Sequence, residues 1–536
     1  MKKLKLVCVA IAMAGAAPTF AGGLLTNTNQ HVAFNRMMSR EASIGIDGVY
    51  YNPAGVVFMG EGHHLAINWQ LAYQTRTINN DYKLFTNNVN NPITPRDFKG
   101  KAFAPVIPSF QYAYNKGKWS FQANFALTGG GGKCTFDDGL GSFEKIVSET
   151  AIAACGLAGV VDQTLGNTLG QQGMEMFTSD QAFGKTGKYS FNSYMHGRQY
   201  YYGLSVGAAY KFCDNLSAFL GVRGVYALTN YYGYVENINV GNMPLYKVLD
   251  PTKENAANIE LSCDQTGVGF TPIIGVDYKT GRWNFSAKYE FKTRIRLKNK
   301  SVNQTPSIGN LPANLANQMT GILTAKYQQA GLPLEQAKQQ AENTTNTVLS
   351  DPKVGATMMG LKTQFDQKLN KAIGEYEDGK KIAGDIPGYL ALGIGYSPVD
   401  AVRVNVGFHW FDDKNATSYN NRNKELKRGT LEYNAGVEVD VNKKITLSTG
   451  WQNTNYGLSD EYMDDKSFVV GSNSAAIGGV YHINKKMDLN VAYFHTFYQH
   501  KKTSETVQLA ADKSNVYNSD YTRNNNVFAV GLDINF

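Results

Sequence analysis

The chain has 536 residues, of which only 18% are charged, 12% are aromatic and 54 are glycine, a composition of strands and turns rather than of helical bundles. Mean hydropathy is slightly negative, and the one long apolar run, near the start, is shorter than the ~18 residues a membrane helix needs, which excludes a helical membrane protein. A formal charge of +8, spread evenly, is too weak to imply a nucleic-acid partner.

In chain order, residues 1–21 read as a signal peptide. Lys2, Lys3 and Lys5 form a positive start, Leu6 to Ala17 an apolar core, and Thr19-Phe20-Ala21 a cleavage site. Mature protein then begins at Gly22, without three lysines and without Cys8. Cys134, Cys155, Cys213 and Cys263 remain. Their spacing fits no zinc site, and export makes disulfides the alternative to free thiols; Cys134 and Cys155 bracket one loop closely enough to pair.

About forty residues precede the first strand, in which Leu65, Ile67, Trp69, Leu71 and Tyr73 alternate with Ala66, Asn68, Gln70, Ala72 and Gln74. Trp119 to Leu127 alternates likewise and runs into Gly129-Gly130-Gly131-Gly132, which favour a bulge or kink. The segment 143–162 has helical spacing. From Trp283 to Lys298 the odd positions are mostly apolar and the even ones polar over sixteen residues, which predicts one long strand with an oily face and a charged face. Residues 311–349 and 354–376 predict amphipathic helices, for example through Met358, Leu361, Phe365, Leu369 and Ile373. Alternation returns at Val402–Trp410, Leu431–Val439 and Val527–Phe536.

Tight turns at Asn115–Lys118, Cys213–Asn215, Lys279–Arg282, Pro398–Asp400, Asn442–Lys444 and Asn484–Lys486 carry hairpin residues. Between them lie seven long polar segments. Six short turns and seven long loops give fourteen strands with both chain ends on the short-turn side. The expected fold is therefore all-β, a 14-stranded antiparallel transmembrane β-barrel with partly helical extracellular loops. Such a bore is too wide for its own side chains to fill, so residues 22–62 are expected as a plug within a barrel of 63–536.

Tyr51-Asn52-Pro53-Ala54-Gly55, followed by Gly60 and the first strand, resembles the hatch signature of the FadL-type outer-membrane transporters of long-chain fatty acids and other hydrophobic compounds. Thr266-Gly267-Val268-Gly269-Phe270, Ile386-Pro387 and Trp410 add to the resemblance, which spans Gly22 to Phe536. It implies a substrate path without a reaction or cofactor. A hydrophobic ligand, fatty acid or hydrocarbon, is caught among outer loops, passes to a luminal site gated by the hatch residues Asn52, Pro53, Ala54 and Gly55, and leaves sideways through a kink in the third strand, here at Gly129, Gly130, Gly131 and Gly132. Arg223, Lys288, Lys292 and Arg294 face inward by alternation and are candidates to hold a ligand carboxylate, or to pair with Glu290 and other luminal acids. The implied setting is the outer membrane of a Gram-negative bacterium, with its lipid, lipopolysaccharide and barrel-assembly machinery as partners, and a monomeric protein. A general or solute-specific porin is the competing expectation. No nucleophile can be set beside His63, His64, His409, His482, His495 or His500, and no metal cluster or catalytic carboxylate pair can be assigned, so an enzyme is not expected.

Overall fold

A computed structural model describes residues 25–536 apart from 172, 307, 511 and 512; the leader at 1–21 and the start at Gly22 lie outside the described residues. The alternating runs form fourteen antiparallel strands: β1 (Gly62–Tyr82), β2 (Arg96–Lys116), β3 (Trp119–Phe136), β4 (Tyr189–Lys211), β5 (Leu216–Val240), β6 (Ile259–Thr280), β7 (Trp283–Glu290), β8 (Tyr389–Val399), β9 (Val402–Phe411), β10 (Thr430–Asn442), β11 (Ile445–Asn455), β12 (Ser472–Asn484), β13 (Met487–Tyr498) and β14 (Lys513–Asn535). Each pairs with the next, and β14 returns to β1 in unbroken register from His64 opposite Asn535 to Tyr82 opposite Tyr517, which closes the barrel. His63 and Phe536 complete the seam by exchanging backbone hydrogen bonds of 2.8 and 2.9 Å. All six tight turns fall where the turn chemistry puts them, and the seven long connections alternate with them in the expected order.

Successive side chains point alternately into the bore and out. On β1, Ala66, Asn68, Gln70, Ala72, Gln74 and Arg76 are buried, whereas Ile67 and Trp69 are each 41% exposed. Leu220 on β5 and Phe270 on β6 are exposed further, at 69% and 68%. Leaving such a belt in water costs roughly 25 cal/mol for each Å² of apolar surface, so the belt is matched to lipid.

The wall is uneven. Strands β1, β2, β4, β5, β6 and β14 run to 21–25 residues, whereas β8 to β13 have 10–13. Crossing a membrane takes about 9–11, so the long strands stand well above it, and several segments expected as loop are wall instead. Four short strands extend the wall: Met243–Pro244, Arg296–Gln304, Lys381–Ala383 and Lys501–Ala510.

The run from Trp283 to Lys298 is not one strand. β7 stops at Glu290, and pairing with β6 resumes at Lys298 opposite Thr266 with the register moved by one residue. A one-residue slip swaps the faces. Below the bulge the even positions Lys288 and Glu290 are buried; above it Thr293, Ile295 and Leu297 are, and Arg294 and Arg296 are exposed. Ile295 and Thr293 pack over Gly267 and Gly269 of the resemblance motif.

The helices are α1 (Val32–Met37) and α2 (Gly48–Tyr51) inside the barrel, α3 (Gly141–Leu169) and the single turn α4 (Tyr246–Leu249) in outer loops, and α5 (Leu311–Gln329), α6 (Leu334–Leu349) and α7 (Pro352–Ile373) in the longest loop. The three predicted helical regions are thus all helical. α3 has the length and hydropathy of a membrane span, yet its apolar positions Ile146, Val147, Leu157 and Val161 pack with Ile238, Val248 and Leu315 of neighbouring outer segments. The Cys134–Cys155 disulfide that the spacing allows is not formed: Cys134, Cys155, Cys213 and Cys263 are free thiols. β3 carries Cys134 up the wall, opposite Gly197 of β4, and Cys155 sits on α3.

Candidate functional site

The polypeptide from Leu25 to Glu61 fills the bore. Almost every residue of it is buried, and each member of the Asn-Pro-Ala motif is held by a different strand. Asn52 donates from Nδ2 to Asp277 of β6 at 2.6 Å and accepts the Gly55 amide on Oδ1 at 3.1 Å. The Pro53 carbonyl accepts from Gln122 of β3 at 2.7 Å, and that of Ala54 from Ser217 of β5 at 2.7 Å. A Cβ at position 55 would run into the Asn52 amide and lie 3.1 Å from the Asp277 carboxylate, so only glycine lets the turn sit this close. Four residues that resemble a hatch signature are therefore a clamp between plug and wall.

Charges make the second set of anchors. Arg40 pairs with Asp47 at 2.7 Å and with Glu438, which Arg36 also reaches at 3.1 Å. His409 is buried between Glu41, at 2.7 Å, and Glu432, at 2.9 Å. Of the four carboxylate candidates, two are neutralised within the fold. Arg223 binds Glu290 bidentately at 2.6 and 2.8 Å, and Lys288 donates to Glu290 at 3.0 Å and to the Tyr50 carbonyl at 2.6 Å. The other two lie beyond β7: Lys292 donates to the Asn415 carbonyl at 3.0 Å, and Arg294 faces outward.

One stretch of the wall lacks its ladder. Pairing of β2 with β3 stops at Ala102 opposite Cys134 and resumes only at Phe110 opposite Phe125. Along the same stretch β3 slips twice against β4, between Leu127 and Gly129 and between Gly130 and Gly132. Gly130 and Gly131 have φ of 70° and 128°, which residues with a side chain rarely adopt. The expected glycine kink thus coincides with a gap between strands, and β3 continues through it to Phe136. Its freed groups meet the plug. Asn27 donates its amide to the Thr128 carbonyl at 2.9 Å, and its side chain to the carbonyls of Leu127 and Gly130 at 3.2 and 2.7 Å. Facing them, Ser109 and Gln111 of β2 both donate to the Gln30 carbonyl. Sequence reading missed the β2 side of the gap, where Pro105 and Pro108 have no N–H to give a ladder and so mark unpaired backbone.

Cavities lie toward the outer face, and two of them bear on the bore. One, of about 130 Å³, is almost wholly apolar, between α3, α4 and α5, with Val147, Leu157, Leu249, Ile259 and Leu315 among its walls. The other, of about 440 Å³, descends from Arg422 and Lys466 past Tyr376 to Tyr201, Leu297 and Leu25 beside the kink. Glu375 borders it. Burial pushes this carboxyl up to about 7, although Lys466 and Arg422 pull the other way. Burial also acts to raise Asp464, but Lys466 and Arg422 beside it hold that carboxyl at about 2.

A closed barrel with an oily exterior, stoppered by its own N-terminal segment and parted between two strands, defines a plugged outer-membrane-type β-barrel. Among solved structures the fold is that of a FadL homologue from Pseudomonas aeruginosa, at a TM-score of 0.56 and 14% identity, covering 98% of this chain and 100% of that one. A deletion mutant of the TodX monoaromatic hydrocarbon channel, a Pseudomonas putida protein, matches at 0.51 and 12% identity over 96% and 100% of the two chains. No protein-family model and no curated protein sequence matches. The likeness to these solved structures is therefore one of fold.

Proposed function

We propose that the protein transports hydrophobic compounds, long-chain fatty acids or related molecules, across the outer membrane of a Gram-negative bacterium. The observation that carries this reading is the gap between β2 and β3, filled from within by Asn27 and Gln30 of the plug. Pairing of β2 with β3 is missing between Ala102 and Phe110, and the first residues of the plug are seated against that opening. The apolar cavity among α3, α4 and α5 is the capture surface, the deeper cavity ending at Leu25 is the luminal site, and withdrawal of residues 25–30 opens the gap toward the bilayer. Lipopolysaccharide resists direct entry of greasy molecules, and a watery pore would cost an acyl chain roughly 0.8 kcal/mol for each CH2 kept wet; release through the wall avoids that cost. The P. aeruginosa homologue and the hydrocarbon channel that share the fold support the reading by analogy.

Liposomes holding the purified protein should take up oleate or toluene while passing little ionic current. Asn52→Ala removes the clamp on Asp277 and should lower uptake by more than it lowers the unfolding midpoint. Large steady currents without uptake would instead make the protein a porin, and an equal loss of uptake and stability would make the motif purely structural.

A further inference from the structure

On the tall side of the barrel the outward face of the wall changes character at one level. The outward positions of β4 rise from Tyr210, beside a tight turn, through the exposed Val206 and Leu204 to Tyr202 and Tyr200. Next on the same face come Arg198, His196 and Tyr194. At ~3.3 Å per residue and a tilt of ~40°, Arg198 stands roughly 30 Å above Tyr210, just past the ~25 Å apolar band of membrane barrels and its upper aromatic girdle. The neighbouring strands change in register with it. Lys133 of β3 lies directly opposite Arg198, and Thr135, the next outward residue of β3, faces His196 on one side and Lys101 of β2 on the other. Below Lys101 the outward residue is Phe103, 55% exposed.

Lys99, one outward step above Lys101, has Asp97 at 3.3 Å, whereas among the described residues Lys101, Lys133 and Arg198 pair with no carboxylate. Nε of Arg198 is buried without a hydrogen-bond partner. Like charges set directly opposite on two strands repel, and an anion held between Lys133 and Arg198 removes that repulsion. Along the same row the first acid is Asp264 of β6, two strands from Arg198; it accepts from Asn230 of β5 at 2.8 Å and has Lys300 opposite it. Beside the cations lies a plateau of rings. Tyr194 stacks on Tyr234 of β5 with ring centres 5.7 Å apart, and His196 lies 5.6 Å from Tyr232. All four are half-exposed on the outside of the wall.

We propose that the outward face of β2 to β5 at this level binds the phosphorylated sugar headgroup of lipopolysaccharide, with Lys101, Lys133 and Arg198 on phosphate and the rings of Tyr194, Tyr232 and Tyr234 under a sugar. Arginine and lysine are the side chains that recognise phosphate, arginine with two parallel hydrogen bonds, and tyrosine suits a surface that is apolar on one side and wet on the other. From β2 to β5 is three strand spacings, about 14 Å, wide enough for a disaccharide. The apolar belt directly below, with Phe103, Leu204, Val206 and Tyr226 exposed, receives the acyl chains of the same molecule, which favours a lipid over a free phosphate. The inference rests on the outer-membrane placement proposed above and is independent of the cargo.

Native mass spectrometry of the full protein in detergent, titrated with bisphosphorylated lipid A and with its fully dephosphorylated form, tests the site. Wild type should hold the phosphorylated lipid about tenfold or more tightly than the other, the least expected of a charge-assisted hydrogen bond. Lys133→Gln combined with Arg198→Gln should bring the two lipids level, Tyr232→Ala should weaken both, and Lys427→Gln, which removes an exposed charge from an outer loop on the opposite side, should change neither. Equal wild-type affinities overturn the site. So does loss of the preference in Lys427→Gln, which would make the attraction one of overall charge, and so does displacement of the lipid by inorganic phosphate, which would make this a site for the free ion. The wild-type comparisons decide the matter even if a variant does not fold. Density-gradient fractionation of cells checks the placement separately: sedimentation away from the outer membrane removes the premise, whereas sedimentation with it and equal lipid binding removes the site alone.

Discussion

Glu290 neutralises two cations at once, Arg223 through two hydrogen bonds and Lys288 through one, and Lys288 in turn grips the plug at the Tyr50 carbonyl. Removing one partner of a buried ion pair is far costlier than the pair is beneficial. Glu290→Gln should therefore destabilise the barrel by about 3–5 kcal/mol, read from urea unfolding in detergent, and adding Lys288→Met should recover part of that loss. These residues were legible from alternation as bore-facing, and Glu290 was legible as their rival partner. Whether they stay free for a ligand depends on a rotamer-level fork that no periodicity encodes. Glu375 offers a test of the outer cavity by pH. Its pKa is raised to about 7 from an ordinary value of 4.5, so the folded loop keeps a proton that the unfolded chain has already released. The associated stability is full below the ordinary value and is lost as pH rises through 7. Protection of the amides of residues 374–376, taken relative to their intrinsic exchange rates, should fall between about pH 5 and 7, and Glu375→Gln should flatten that change.

At the level of elements, the plug and the third strand complete each other. Asn27 makes two side-chain bonds to carbonyls that β2 does not reach. Asn27→Ala removes both, and each buried bond is worth about 0.5–1.5 kcal/mol net. The expected outcome is faster proteolysis near residues 25–30 and a measurable rise in single-channel conductance; an unchanged conductance would mean that the remaining plug seals the bore without this contact. Strand number and turn positions could be read directly, because turn chemistry is local. The β7 boundary could not. Charges keep alternating from Lys288 to Lys298, but their purpose changes at the bulge, from lining the bore to meeting water outside the wall. Alternation reports two unlike faces without saying which is inside. Wall height was hidden for a related reason: above the membrane both faces of a strand are polar enough to resemble loop. The paired prolines of β2 were a readable signal of the gap.

Considered whole, the molecule is a tall half-wall from β14 through β1 to β6 and a low one from β8 to β13. Outer helices lean on the tall side, where both the apolar cavity and the β2–β3 gap lie, whereas the plug's charged contacts to Glu438 and His409 grip the low side. The plug's contacts to Glu438 and His409 and the β2–β3 gap thus lie on different arcs of the same cylinder. The amide of Val32 is bound by Asn68 of β1 at 3.1 Å, and the neighbouring His31 faces Asp533 of β14 at 3.3 Å. A single turn of the plug thus rests on the first and the last strand together. This part of its seat is complete only when the last strand lies against the first, so a chain truncated before Asp533 would lack the carboxylate that faces His31.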